Sequence, residues 1–272
     1  MSEPEPFELV PLPEPLRLAV PGRVVLRDNV FALVDAIAED VFEAALDASA
    51  ARGVFHFGLS LTPVVEMVLR RMLIDHSMRA LPWDRTHVWL TDDAPAVSGE
   101  APTEGFREFL ADHAGVPAEQ VHMPLKHLRA EAATEYAERL DRLLRRSGVE
   151  EGFDFAAVTV GGEGIVGVSP PAEQCDGHAH AVRGGEWTAV HPRVFGASGR
   201  VAIVAPDLDA FGYVKGVGRG WGREGAHGIA QGTGAGEPGW SHVRPASPDR
   251  LTWYVSIESG ETDGRPEKDR RR

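Results

Sequence analysis

The chain has 272 residues, 43% hydrophobic and 25% charged, and its 41 acidic against 28 basic side chains leave a net charge of −13, which repels nucleic-acid phosphates and anionic membranes. No apolar run approaches the roughly 20 residues that span a bilayer, and the acidic, proline-rich start MSEPEPFELVPLPEP lacks the basic beginning and apolar centre of a signal peptide. The single cysteine, Cys175, excludes an internal disulfide and a cysteine zinc cluster, so a reducing, cytoplasmic setting is expected.

Residues 1–22 are expected to run extended, with an edge strand at Arg23 to Leu26. A single α/β domain over residues 23–258 follows, and the charged tail 259–272 is expected to be disordered. Val30, Phe31, Val34, Ile37, Ala38, Val41 and Ala45 recur at helical spacing until Gly53 stops the pattern. Val54 to Leu59 reads as a strand, and Val64, Val65, Val68, Leu69 and Leu73 as a helix that Pro63 opens and Thr62 caps. Thr86 to Leu90 is a second strand running into Thr91-Asp92-Asp93.

A short helix at Phe106 to His113 and an exposed strand at Val121 to Met123 come next. Ala130 to Arg146 is a charged helix with Tyr136, Leu140, Leu143 and Leu144 turned inward. Phe153 to Val160 is a buried strand that opens onto Gly161-Gly162-Glu163-Gly164. Val201 to Ala205, Tyr213 to Val217 and Leu251 to Ile257 are further strands, and the glycine-rich stretch 218–239 is a long loop. Strands and helices alternating in this way predict a Rossmann-like, mainly parallel sheet with helices on both faces. In such sheets ligands gather at the carboxyl ends of the strands.

Four segments taken together resemble the 6-phosphogluconolactonase and glucosamine-6-phosphate isomerase family. Gly58-Leu59-Ser60-Leu61-Thr62-Pro63 stands where the family carries SGGSTP. Asp92-Asp93-Ala94 stands where it carries a DER-type acidic motif. Phe153-Asp154 through Gly161-Gly162-Glu163-Gly164-Ile165 to Pro171 follows its strand and GMGxDGH segment, with Glu163 in place of aspartate and Ile165 in place of histidine. Arg200-Val201-Ala202-Ile203 and then Gly220-Trp221-Gly222-Arg223 follow its RVTLT and G-x-x-K segments, with arginine for lysine. REFLADHAGVPAEQVHMPL and EAATEYAERL are similar to scaffold parts of the family.

The resemblance implies hydrolysis of 6-phosphogluconolactone, a step of the pentose phosphate pathway, with a histidine moving the proton. Histidine suits that work because its pKa of about 6.5 lets it accept a proton near neutrality, and Ile165 cannot. Glu163, Asp92 and Asp93 are the candidate catalytic carboxylates, and a second DGH tripeptide at Asp176-Gly177-His178 is a further substitute. Each also reads as an ordinary turn or cap residue.

Ser60, Thr62, Gly161, Gly162, Gly164, Arg219 and Arg223 are the candidate substrate-binding residues, offering hydroxyls, backbone amides and cations to a sugar phosphate or lactone. No cofactor and no metal is expected, since Cys175, His178, His180 and His191 crowd one region without a second paired motif. Loss of the motif histidine leaves open a non-catalytic relative that binds a sugar phosphate or a protein partner.

Overall fold

The computed structural model describes residues 20–92, 105–123, 129–148, 152–161, 164–166, 179–182, 187–206, 243 and 245–257. The expected strand at 213–217, the glycine-rich stretch 218–239, Asp93, Gly162, Glu163, Asp176, His178, Arg219, Arg223 and the charged tail lie outside these residues.

The main sheet runs in the order β1-β10-β9-β5-β2-β3-β4. Its strands are β1 (Arg23–Arg27), β2 (Phe55–Leu59), β3 (Thr86–Leu90), β4 (Val121–His122), β5 (Phe155–Gly161), β9 (Arg200–Ala205) and β10 (Leu251–Ser256). All of these pair in parallel. A short β6 (Gly164–Val166) folds back antiparallel on β5. The expected α/β architecture is therefore present.

Helix α1 (Val30–Arg52) begins at Asn29, whose side chain accepts the Ala32 amide, and ends at Gly53, which takes φ 76° and donates its amide to the Ser49 carbonyl. A left-handed residue at that position closes a helix at no steric cost only when it has no Cβ. Leu33, Val34, Ile37, Ala38, Val41, Ala44, Ala45 and Ala48 form its buried stripe, whereas Phe31, expected within the stripe, is 69% exposed in the first turn.

Helices α1, α2 (Pro63–Ile74) and α3 (Phe106–Ala114) cover one face of the sheet, where Phe55, Phe57, Leu59, Val88, Leu90, Phe155, Ala157, Ala202 and Val204 point. Helices α4 (Arg129–Arg146) and α5 (Pro192–Ala197) cover the other, meeting Trp89, Ala156, Val158, Val160, Val201, Ile203, Trp253 and Val255. Period-two alternation along each strand thus feeds two separate cores. Among the described residues no helix is long and apolar enough to cross a membrane.

Two features depart from the sequence reading. Strand β4 is buried at both residues, because it closes the sheet edge beside β3 and lies against α3 and α4. His180, expected in a polar loop, lies in β7 (Ala179–Val182), which forms an antiparallel hairpin with β8 (Trp187–Val190). These segments of four residues, like the six-residue α5, are too short for a periodicity to emerge.

Candidate functional site

The chain builds β2, β3 and β4 outward in one direction and then returns to place β5 on the other side of β2. This reversal is a topological switch point, where the crossovers diverge to opposite faces and leave a crevice at the carboxyl ends of the strands. The residues that leave β2 and β5 there are Ser60, Leu61 and Thr62 on one side and Thr159, Val160 and Gly161 on the other.

Backbone hydrogen bonds prolong the sheet into this region. Ser60 donates its amide to the Ala157 carbonyl at 3.0 Å, and Thr91 donates to the Leu59 carbonyl at 2.8 Å. Thr62 occupies the N-cap of α2 with extended backbone (φ −107°, ψ 160°), and Pro63 takes the first helical turn. The expected capping bond is absent: Thr62 makes no side-chain bond to the helix amides. Its hydroxyl lies instead 2.7 Å from that of Thr159, across the switch point. The first amides of α2 therefore lack their own cap, and the helix dipole places partial positive charge at that end.

Asp92 lies two residues past the end of β3 and is 8% exposed. Its backbone bridges Ala189 of β8, and Val190 donates its amide to the Thr91 carbonyl at 2.8 Å. The β7–β8 hairpin thereby fixes the end of β3. Ser60 and Thr91 are fully buried, and neither hydroxyl has a hydrogen-bond partner among the described residues.

Gly161 and Gly164 pair across the β5–β6 hairpin, and Ile165 stands opposite Val160. Ile165 thus holds a ladder position in β6.

The structure brings Ser60, Thr62, Asp92, Gly161 and Gly164 to the ends of β2, β3 and β5. Glu163, Asp93, Gly162, Arg219 and Arg223 lie outside the described residues. Arg200, which begins the fourth resembling segment, serves the scaffold, with its guanidinium 3.4 Å from Asp47 of α1. Among the described residues no group of three or more His, Cys, Asp or Glu side chains could hold a metal.

Two residues at this end escaped the sequence reading. Thr159 and Thr91 are polar positions at the ends of otherwise apolar strands, and a hydroxyl in such a place is the signal that could have found them. A third, Asp154, organises the opposite end of the strands. Its carboxylate accepts the His56 amide at 2.7 Å and pairs with Arg52, and its backbone amide donates to the His56 carbonyl. Burial pushes its pKa up, against the opposing pull of the His56 amide and Arg52.

Comparison with known structures gives the same architecture. A 6-phosphogluconolactonase from Trypanosoma cruzi superposes with TM-score 0.61 at 13% identity, covering 86% of this chain and 94% of that one. A 6-phosphogluconolactonase from Thermotoga maritima gives TM-score 0.57 at 15% identity, covering 86% and 99%. A monomeric glucosamine-6-phosphate deaminase gives TM-score 0.60 at 12% identity, covering 86% and 97%. At these identities the likeness is one of fold. No curated protein matches the sequence. A family model described as glucosamine-6-phosphate isomerases/6-phosphogluconolactonase matches residues 28–166, the span from just before α1 to the end of β6. With its sheet order and its matched span in agreement, the chain belongs to the glucosamine-6-phosphate isomerase/6-phosphogluconolactonase family.

Proposed function

We propose that the chain binds a phosphorylated sugar or its lactone at the ends of β2, β3 and β5, and that it hydrolyses 6-phosphogluconolactone slowly. The observation that carries this reading is the uncapped N-terminus of α2 beside the Thr62–Thr159 pair at the switch point, a place suited to a phosphate. Gly161, Gly162 and Gly164 would add backbone amides, Ser60 and Thr62 hydroxyls, and Arg219 and Arg223 charge.

Hydrolysis requires a base to take a proton from water while the water oxygen bonds to the lactone carbonyl carbon. The ring ester bond then breaks and its oxygen leaves with a proton. Asp92, Asp93 and Glu163 are the carboxylates assigned to this transfer. Without the motif histidine the rate should fall about 10²- to 10⁴-fold below that of a histidine-bearing relative, the usual cost of a missing general base.

A second reading is favoured by Ile165, which takes a ladder position in β6 where the motif has its proton-transfer residue. In it the chain holds a sugar phosphate or a protein partner without turnover. The deciding experiment measures hydrolysis of fresh 6-phosphogluconolactone above the spontaneous rate, with Ile165→His and Glu163→Gln alongside, and calorimetric binding of 6-phosphogluconate. Slow turnover that Glu163→Gln abolishes supports a relocated base. Binding without turnover supports the second reading, and neither binding nor turnover removes the sugar-phosphate site and leaves the second reading only its protein partner.

A further inference from the structure

The α4 side of the sheet carries a row of aromatic side chains that the candidate site does not use: His56 on β2, His87 and Trp89 on β3, and His122 on β4. Parallel pairing sets His56 opposite His87 and Trp89 opposite His122. The rings of His56 and His87 lie 5.0 Å apart, those of His87 and His122 lie 5.2 Å apart at 2°, and those of Trp89 and His122 lie 3.8 Å apart at 21°. His56, Trp89 and His122 are buried and His87 is half-buried.

The hydrogen bonds of the row prescribe neutral imidazoles. The Trp89 indole is only a donor, and it gives its N–H to His56 Nδ1 at 3.1 Å. His56 must therefore keep a lone pair on Nδ1 and carry its proton on Nε2, which lies 2.7 Å from Ser147 Oγ. Ser147 passes its own proton to the Leu143 carbonyl at 2.9 Å. A second proton on His56 would confront the indole N–H with another N–H.

His87 Nδ1 and His122 Nε2 are 2.9 Å apart, so one donates and the other accepts. Two imidazolium rings there would bring two N–H groups face to face. His122 Nδ1 is buried and has no partner among the described residues.

The charged groups around the row add to this. Arg52 at the end of α1 acts on His56, and Arg107 of α3 and Arg139 of α4 act on His122, each opposing a further positive charge. The nearby carboxylate, Asp154, is already engaged by Arg52 and the His56 amide. Tyr136 of α4 donates its hydroxyl to the Leu90 carbonyl at 2.6 Å, and also reaches the His122 carbonyl at 3.4 Å.

We propose that this row is an acid-sensitive latch: neutral, it holds β4 and α4 against the sheet, and on taking up protons it releases that side of the molecule. Release reaches the candidate site through Tyr136, because the Leu90 carbonyl that Tyr136 holds precedes Thr91 and Asp92. The latch works whether or not the site turns over a lactone.

Burial lowers the pKa of His56 from 6.5 to about 3 and that of His122 to about 2, and it lowers that of His87 as well. A lowered folded-state pKa means that the stabilisation is complete above the open-state value and is lost as pH falls below it. The window thus opens near pH 6.5 and extends down toward pH 3 for His56.

The test is urea unfolding of the full chain from pH 7.5 to pH 5, combined with hydrogen exchange of β4 and α4 amides corrected for intrinsic rates. The opening constant should rise about 10²-fold or more between pH 6 and pH 5, the dependence expected for two to three protons taken up on opening. The variant His87→Gln/His122→Gln, in which the amides keep donor and acceptor capacity, should keep only the slope of the one proton that His56 takes up.

If that variant does not fold, the imidazole carbon resonances of the unaltered protein decide. His56 and His122 should remain neutral down to pH 5 while the protein is closed. Titration of both near pH 6.5 without loss of tertiary structure would overturn the latch, as would stability unchanged between pH 7 and pH 5.

Discussion

The hydroxyl oxygens of Thr62 and Thr159 lie 2.7 Å apart, joining the residue that opens α2 to the strand on the far side of the switch point. One hydroxyl must donate and the other accept, so each is satisfied by the other. Thr62→Val should cost about 1–3 kcal/mol, since it strands the buried Thr159 hydroxyl, Thr159→Val should cost less, since Thr62 is half-buried, and the double variant should cost less than the sum. Urea midpoints of the three proteins measure this coupling, and strict additivity would mean that the pair contributes nothing.

Gly58 is fixed by its neighbour. A Cβ built there would sit 2.5 Å from the Phe153 ring, which is itself packed against Trp89 and Phe195. Gly58→Ser, which restores the serine of the family motif, should therefore destabilise the fold by about 1–3 kcal/mol through overpacking. Phe153→Leu in the same chain should reduce the penalty. Thermal unfolding of the single and double variants checks both statements.

Ser60 and Thr91 bury hydroxyls that meet no partner among the described residues. Their removal by Ser60→Ala or Thr91→Val should leave stability unchanged or raise it, by up to about 1–3 kcal/mol, because an unmade buried hydrogen bond is a cost. Differential scanning calorimetry reads the change. A fall in melting temperature would show that the hydroxyls have a use in the unliganded protein.

Asp154 ties the start of β5 to the start of β2. Asp154→Ala should cost about 1.5–3 kcal/mol, the range for hydrogen bonds to a charged group, and Asp154→Asn less, since the amide oxygen can still accept from His56. Burial raises the pKa of this carboxyl above 3.8. The part of its contribution that depends on the neutral carboxyl is therefore full below that value and is lost as pH rises through the folded-state pKa, leaving the bonds to the His56 amide and Arg52. Asp154→Asn, which does not ionise, should gain on the unaltered protein over that rise, as measured by urea midpoints from pH 3 to pH 6.

The framework was legible because long periodic segments announce themselves. The α1 and α4 stripes carry enough residues to show a period near four, and the runs at Thr86–Leu90 and Arg200–Ala205 stand out by their β-branched and apolar content. The hairpin of β7 and β8 was not legible, because Ala179–Val182 mixes small and polar residues over one short span. The histidine row was hidden for a different reason. His56, His87 and His122 are scattered singly through the sequence, and only the lateral pairing of β2, β3 and β4 brings them together. At the site, the order of residues placed Ser60, Thr62 and Asp92 at strand ends. It carried no sign that the Thr62 hydroxyl would leave its helix for Thr159, since that partner is set by the return of the chain to β5.

Strand β10 lies between β1 and β9, so the N-terminal strand has no neighbour in the main sheet until Leu251–Ser256 arrives. During synthesis Arg23–Arg27 must wait until Leu251–Ser256 has been made, and a pairing so distant in sequence is slow to close. A chain ending before Leu251 would strand two unpaired edges at once, one on β1 and one on β9, and exposed edges of this kind recruit other chains. Pairing of Leu251–Ser256 therefore hides at once the two strand edges through which the sheet would otherwise recruit other chains.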